Sequence, residues 1–135
     1  MINNVTLTGR LTADPELKHA ASGTAIATFR LAVDRGRKGD DGETQADFIK
    51  IVAFQKTAEL AAQYLDKGSL VGIEGRIQSR TWEDNDGKRR YEVEVIADRV
   101  VFLESRKDAE ARRGGAAPAS AGRLPDGTED PFGDQ

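Results

Sequence analysis

The chain has 135 residues and no cysteine, and its 20 basic and 23 acidic side chains give a net charge of −3. This length suits one domain with an appendage, and the absence of cysteine excludes a disulfide framework, a thiolate metal site and a cysteine nucleophile. No segment approaches membrane-spanning length, and the N-terminus lacks a basic region followed by an apolar run. We therefore expect a cytoplasmic protein in which any polyanion site depends on local placement of cations.

Alternation of apolar and polar residues predicts the first two strands. Residues 2–11 form one strand, which Pro15 interrupts before a loop that runs to Gly23. Alternation returns from Thr24 to Val33 and places Phe29 in the core.

The connection that follows, residues 34–44, is rich in glycine and cations and predicts a flexible hairpin. Its cations Arg35, Arg37 and Lys38 suit a solvated loop or a mobile phosphate-binding loop equally well.

The segment from Asp47 to Phe54 predicts a strand with two usable faces. One face carries Ile49, Ile51 and Ala53, and the other carries Phe48, Lys50, Val52 and Phe54. Two rings flanking a cation suit stacking on bases and contact with phosphate. The alternative is a strand buried on both sides with both rings in the core.

After this strand the period changes, and Lys56–Asp66 predicts an amphipathic helix of about three turns. A fourth strand is expected over Ser69–Thr81, where Gly72 and Gly75 invite a bend or a close backbone approach. The turn at residues 85–87 leads to a fifth strand that ends near Leu103. This order predicts an all-β fold: a five-stranded OB-fold Greek-key barrel with one α-helix between strands 3 and 4.

Arg80 and Trp82 are two positions apart and share one polar face of the fourth strand, which favours base stacking by Trp82 over a role as a barrel-capping core residue. Glu92 and Glu94 alternate with apolar residues and are interpreted as solvated surface. His19 has no second histidine or cysteine at ligand spacing, so we expect no metal site. The pairs Asp40/Asp41 and Glu92/Glu94 fit solvated surface better than metal or acid/base carboxylates, and no glycine-rich phosphate loop opens a helix, so we expect no cofactor and no enzymatic activity.

Beyond Glu104 the sequence turns to Arg, Gly, Ala and Pro without periodicity, and it ends in an acidic stretch around Phe132. We therefore expect the OB-fold domain to span residues 1–104 and a disordered tail to span residues 105–135.

With these elements placed, residues 1–103 resemble the bacterial single-stranded DNA-binding protein family. The matching stretches include 3–11, 14–16, 29–33, 47–54, 58–59, 64–65, 67–68, 73–75 and 80–82. The resemblance implies a homotetramer that binds single-stranded DNA without sequence readout, in the nucleoid, during replication, recombination and repair. On this chain it implies stacking by Phe48, Phe54 and Trp82, and phosphate contacts by Arg10, Lys50, Lys56, Lys67 and Arg80, with Arg35, Arg37 and Lys38 in the basic hairpin.

Two departures from the family pattern are visible. Family members often carry tryptophan at the position of Phe48 and an aromatic ring at the position of Arg37. The partner-binding tail motif, Asp130, Pro131 and Phe132, is followed by three further residues, which puts docking of replication and repair proteins in doubt. The alternative function is an OB-fold protein-interaction component of a primosome-like assembly with secondary DNA binding.

Overall fold

A computed structural model describes residues 1–38, 40 and 42–114, without the side chains of Arg37 and Lys38. Its elements in chain order are β1 (Val5–Leu11), β2 (Glu16–His19), β3 (Ala25–Lys38), β4 (Thr44–Phe54), α1 (Gln55–Tyr64), β5 (Leu70–Glu83), β6 (Arg89–Phe102) and α2 (Arg106–Arg113). None of the helices among these residues is long and apolar enough to cross a membrane.

Five of the strands close into a barrel. The sheet runs β1-β5-β6-β4-β3, and an additional pairing of β1 with β3 joins its two ends. All neighbouring pairs are antiparallel except β4 and β6, which run parallel with Ile51 opposite Val95. The helix α1 lies between the third and fourth barrel strands in chain order. The predicted OB-fold barrel is therefore confirmed.

The barrel interior is filled by the inward-facing residues of each strand. Leu31, Ile51, Val71 and Ile73 are its largest fully buried side chains. The helix α1 adds two small buried residues, Ala58 and Ala61, to this core. Small side chains on this face let the helix backbone approach the core closely, which positions the end of β4 from which the helix begins.

Gly75 allows β5 to pass close to β6. A Cβ atom at this position would lie 2.0 Å from the carbonyl oxygen of Ile96, and the β5–β6 register shifts between Glu74 and Gly75. The close approach is confirmed at Gly75, where the β5–β6 pair starts to extend toward Trp82, whereas an added Cβ at Gly72 would meet no atom closer than 3.5 Å.

Two strands differ from the expectation. Residues 16–19, expected to be loop, form the edge strand β2 against β3, although all four residues are exposed. The strand β3 continues to Lys38, so most of the expected flexible connection extends the β3–β4 ladder. Backbone pairing creates both features without the alternating burial that reveals a strand in a sequence.

The residues from Glu104 onward form a separate unit. Its described part contains the helix α2, which was not expected. Ser105 accepts a hydrogen bond from the backbone N–H of Asp108 at 3.0 Å, which caps the first turn. The Arg112 guanidinium pairs with Glu104 at 2.7 Å.

Candidate nucleic-acid interface

The strand β4 separates its two rings from the barrel core as the alternation predicts, although Val52, which was expected on the same face as the rings, is buried. Ile51 and Ala53 are fully buried, whereas Phe48 and Phe54 are 63% and 40% exposed. Both rings therefore stand outside the barrel of a single chain, and the alternative of a strand with both rings in the core is wrong for this chain. The two rings are six residues apart, or about 20 Å along an extended strand.

Arg80 and Trp82 lie on the same side of β5. The guanidinium carbon of Arg80 is 4.3 Å from the centroid of the Trp82 ring, a cation–π contact. Trp82 is 37% exposed. The arginine therefore supports one part of the indole while another part stays open to a ligand.

A charged cluster joins this pair to β4. It consists of Arg30, Lys50, Arg80, Glu92 and Glu94. The Lys50 Nζ donates a hydrogen bond to Glu92 Oε1 at 3.2 Å, and the Arg30 Nη2 lies 3.4 Å from Glu92 Oε2. The Arg80 Nη2 is 3.5 Å from Glu92 Oε1. One carboxylate therefore meets cations from three different strands. These contacts bring side chains of β4 and β5 onto one surface, which we call the outer face. It carries Phe48, Lys50 and Phe54 of β4 and Arg80 and Trp82 of β5.

The second carboxylate of the cluster is buried. Glu94 is only 4% exposed. Its Oε1 accepts a hydrogen bond from the Arg80 Nε at 3.1 Å, and its Oε2 lies 3.8 Å from the Lys50 Nζ. The expectation of solvated surface is wrong for the buried Glu94, and Glu92, although partly exposed, is held by the cations of the outer face.

The surrounding cations act on the ionisation of Glu92. The hydrogen bond from Lys50 lowers the pKa of Glu92 below its ordinary value, and the charges of Lys50 and Arg30 lower this pKa further against the opposing effect of burial. Glu92 is therefore an anion at neutral pH.

The other predicted cations are distributed around the barrel. Arg10 is exposed and its Nη1 donates to the carbonyl of Gly68 at 2.9 Å, while Lys56 and Lys67 are exposed. The Arg35 guanidinium pairs with Asp47 at 2.8 Å, and the hydrogen bond between them lowers the pKa of Asp47 and raises that of Arg35.

The remaining predicted positions fall outside what the structure describes. These are the side chains of Arg37 and Lys38, and the tail residues Asp130, Pro131 and Phe132. Their proposed roles stay predictions.

Three members of the charged cluster were missed as site residues: Arg30, Glu92 and Glu94. Strand parity puts all three on the outward side of their strands, and the pairing of the strands makes them neighbours of Lys50 and Arg80. Arg30 lies directly opposite Lys50 in the β3–β4 ladder, and Glu92 lies opposite Arg80 in the β5–β6 ladder. Residues opposite each other in a ladder share a face of the sheet.

Among the described residues, no group of three or more His, Asp or Glu side chains is arranged to hold a metal ion. The site consists of rings and charges on an open barrel surface. An OB-fold barrel with this outer face defines a class of binding domains for oligonucleotides or oligosaccharides, which contact their ligands through the second and third barrel strands and the adjoining loops.

Comparison with known proteins narrows this class. A model of the single-strand binding protein family matches residues 2–103, and the chain belongs to this family. It is 53% identical to single-stranded DNA-binding protein 3 of Listeria innocua over 108 aligned residues, and this alignment covers 80% of this chain and 68% of that protein. It is 48% identical to a single-stranded DNA-binding protein of Bacillus cereus over 135 aligned positions, and this alignment covers 98% of this chain and 79% of that protein. A single-stranded DNA-binding protein of Streptococcus pneumoniae is 46% identical over 142 residues, with 98% of this chain and 91% of that protein covered.

Proposed function

We propose that this chain binds single-stranded DNA without reading its sequence and protects transient single strands during replication, recombination and repair. Residues 1–104 carry the binding, and Phe48, Phe54 and Trp82 stack on successive bases. The observation that carries the proposal is the outward placement of Phe48 and Phe54 on either side of Lys50, since aromatic rings and cations on one open surface are the parts that sequence-tolerant strand binding needs.

Phosphate contact is assigned to the cations next to these rings. Arg80 is suited to this role because its side chain is 46% exposed while Glu94 fixes its Nε. Arg10, Lys56 and Lys67 lie exposed elsewhere on the chain, where they extend the path of the strand. Arg35, Arg37 and Lys38 add cations at the end of the β3–β4 ladder.

The direct test is a titration with oligo(dT) followed by Trp82 fluorescence. Stacking on a base should quench the emission, and Trp82→Ala should weaken binding of a labelled oligo(dT) by about 1–3 kcal/mol. Tyr64→Ala is a matched control, because this ring is 57% exposed but contacts Phe102, outside the outer face. Unchanged emission, or equal affinity of the Trp82 variant and the wild type, would remove Trp82 from the site.

We further propose a homotetramer. The hairpin of β5 and β6 carries exposed apolar side chains on the face opposite Trp82, where Ile77, Tyr91 and Val93 are 48%, 68% and 44% exposed. Their strand positions continue the face of Val95, a core residue. An apolar surface of this kind is suited to cover by a second copy of the chain. Light scattering should give four times the chain mass, and a lower mass for Tyr91→Ser would support this hairpin as the interface.

A third proposal concerns the acidic tail end. Asp130, Pro131 and Phe132 would dock replication and repair proteins through a ring beside acidic groups. Pull-down of such proteins by the full chain, with loss on Phe132→Ala, is the expected result.

A further inference from the structure

The outer face contains its own anions at the place where DNA phosphates are expected. In the charged cluster, Arg30, Lys50 and Arg80 surround two carboxylates, and this leaves a net charge of only +1. A surface built only to attract a polyanion would have no reason to place acids between its cations. The two glutamates therefore need an explanation beyond general solubility.

The two carboxylates differ in how firmly they are held. Glu94 is nearly inaccessible and accepts the Nε hydrogen bond that fixes Arg80 beside Trp82. The side chain of Glu92 is 24% exposed, and its three cation contacts of 3.2, 3.4 and 3.5 Å are long for charged hydrogen bonds. Glu94 therefore suits a permanent partner, whereas Glu92 is reachable from solvent and held by contacts that another anion could take over.

We propose that Glu92 is an affinity-setting residue that stands in for a DNA phosphate: its carboxylate holds Arg30, Lys50 and Arg80 together in the DNA-free protein, and a phosphate of the bound strand replaces it. Glu94 keeps Arg80 in position during this exchange. The inference rests on the proposed function and adds a regulating group to the same site.

The exchange has a distinct consequence for salt dependence. A cation that is free in the unbound protein releases counterions from DNA when it binds a phosphate, which steepens the fall of affinity with salt. A cation that exchanges Glu92 for a phosphate also releases a counterion from the DNA, but the freed Glu92 carboxylate then attracts a counterion of its own. Few counterions are therefore released overall. Glu92 should therefore lower both the affinity and its salt dependence.

The test is Glu92→Gln, which removes the charge and keeps the shape. In fluorescence titrations with oligo(dT) at several salt concentrations, this variant should bind about 3- to 150-fold more tightly at low salt, the range expected from three ion pairs of ordinary strength. Its slope of log affinity against log salt should be steeper by about 0.7 for each cation released. Its thermal stability should fall, because three cations lose their shared partner. A residue with only a structural role would lower stability and affinity together.

Glu59→Gln is the matched control, since it removes one negative charge from an exposed position on α1 and should leave both affinity and slope unchanged. Glu94→Gln should act in the opposite direction, with weaker binding and altered Trp82 emission. If the wild type binds oligo(dT) but Glu92→Gln binds equally or more weakly with the same slope, the inference is wrong and the proposed function stands. If the wild type fails to bind oligo(dT), the proposed function itself is wrong.

Discussion

Replacing one exposed and one buried phenylalanine of the barrel by alanine should separate the effect on DNA binding from the effect on stability. Phe48 on β4 is 63% exposed, whereas Phe29 on β3 is 4% exposed and belongs to the core cluster. The two residues carry the same ring, so the same change to alanine removes the same atoms from opposite environments. This comparison tests the face assignment on which the proposed function depends.

The expected magnitudes follow from these exposures. Because Phe48 keeps most of its surface in water, Phe48→Ala should cost at most about 1 kcal/mol of unfolding free energy. The loss of one stacked base should weaken oligo(dT) binding by about 1–3 kcal/mol, or about 5- to 150-fold. Phe29→Ala should instead cost about 3–5 kcal/mol of unfolding free energy, since it leaves a cavity in the core.

Urea unfolding and fluorescence titration at one temperature would measure both quantities. Phe29→Leu provides a milder core variant that stays folded, and it should bind oligo(dT) like the wild type while unfolding at lower urea. The reasoning is refuted if Phe48→Ala destabilises the protein as much as Phe29→Ala, or if it folds normally and binds oligo(dT) with unchanged affinity.

Three further predictions concern backbone packing, pH and salt. Gly75→Ala should lower the unfolding free energy by about 1–3 kcal/mol, measured in urea, because its Cβ would lie 2.0 Å from the Ile96 carbonyl oxygen; stability equal to wild type would contradict the close approach. The pKa of Glu92 is lowered in the folded state, so its pairing stabilises the protein above the ordinary glutamate pKa and this contribution disappears as pH falls through the lowered value. Thermal melts from pH 6 down to pH 3 should therefore show a steeper loss for the wild type than for Glu92→Gln, and parallel curves would exclude the effect. For the wild type, log affinity for oligo(dT) should fall with log salt by about 0.7 per phosphate neutralised, and a flat response would rule out phosphate contacts.

The barrel could be predicted because the alternation of apolar and polar residues in its strands shows which side chains face the core. In β4, Ile49, Ile51 and Ala53 alternate with Phe48 and Lys50, and this period-two pattern places the rings outside without knowledge of the neighbouring strands. The strand β2 has no such pattern, since Glu16–His19 is exposed throughout and pairs with β3 along its backbone. Edge strands of this kind depend on a partner that the local sequence does not reveal.

The helix α2 was missed for a different reason. The composition after Glu104 predicts an unstructured tail, but Ser105 followed three residues later by Asp108 is a helix-starting pattern. The Ser105 side chain caps the backbone N–H of Asp108 in the structure. The average composition of residues 105–135 predicts disorder, and the short helix-starting pattern within this segment was overlooked.

The charged cluster could not be predicted from local pattern because it depends on strand order. Lys50 and Glu92 are 42 positions apart and meet only because β4 runs parallel to β6 in the closed barrel. Parity showed which residues face outward, but not which of the outward residues are neighbours. Glu92 and Glu94 were therefore assigned to solvent, although the fold places both beside Lys50 and Arg80.

The proposed DNA-binding face belongs to a chain with a net charge of −3. The cations of the cluster are largely neutralised by Glu92 and Glu94, so long-range attraction of a polyanion is weak there. Base stacking does not depend on net charge and is screened little by salt. The rings of Phe48, Phe54 and Trp82 should therefore supply the larger share of binding at physiological salt, with the cations setting position and salt response. Removing a ring should weaken binding at every salt concentration, whereas removing an exposed cation outside the cluster, such as Lys56, should weaken it mainly at low salt.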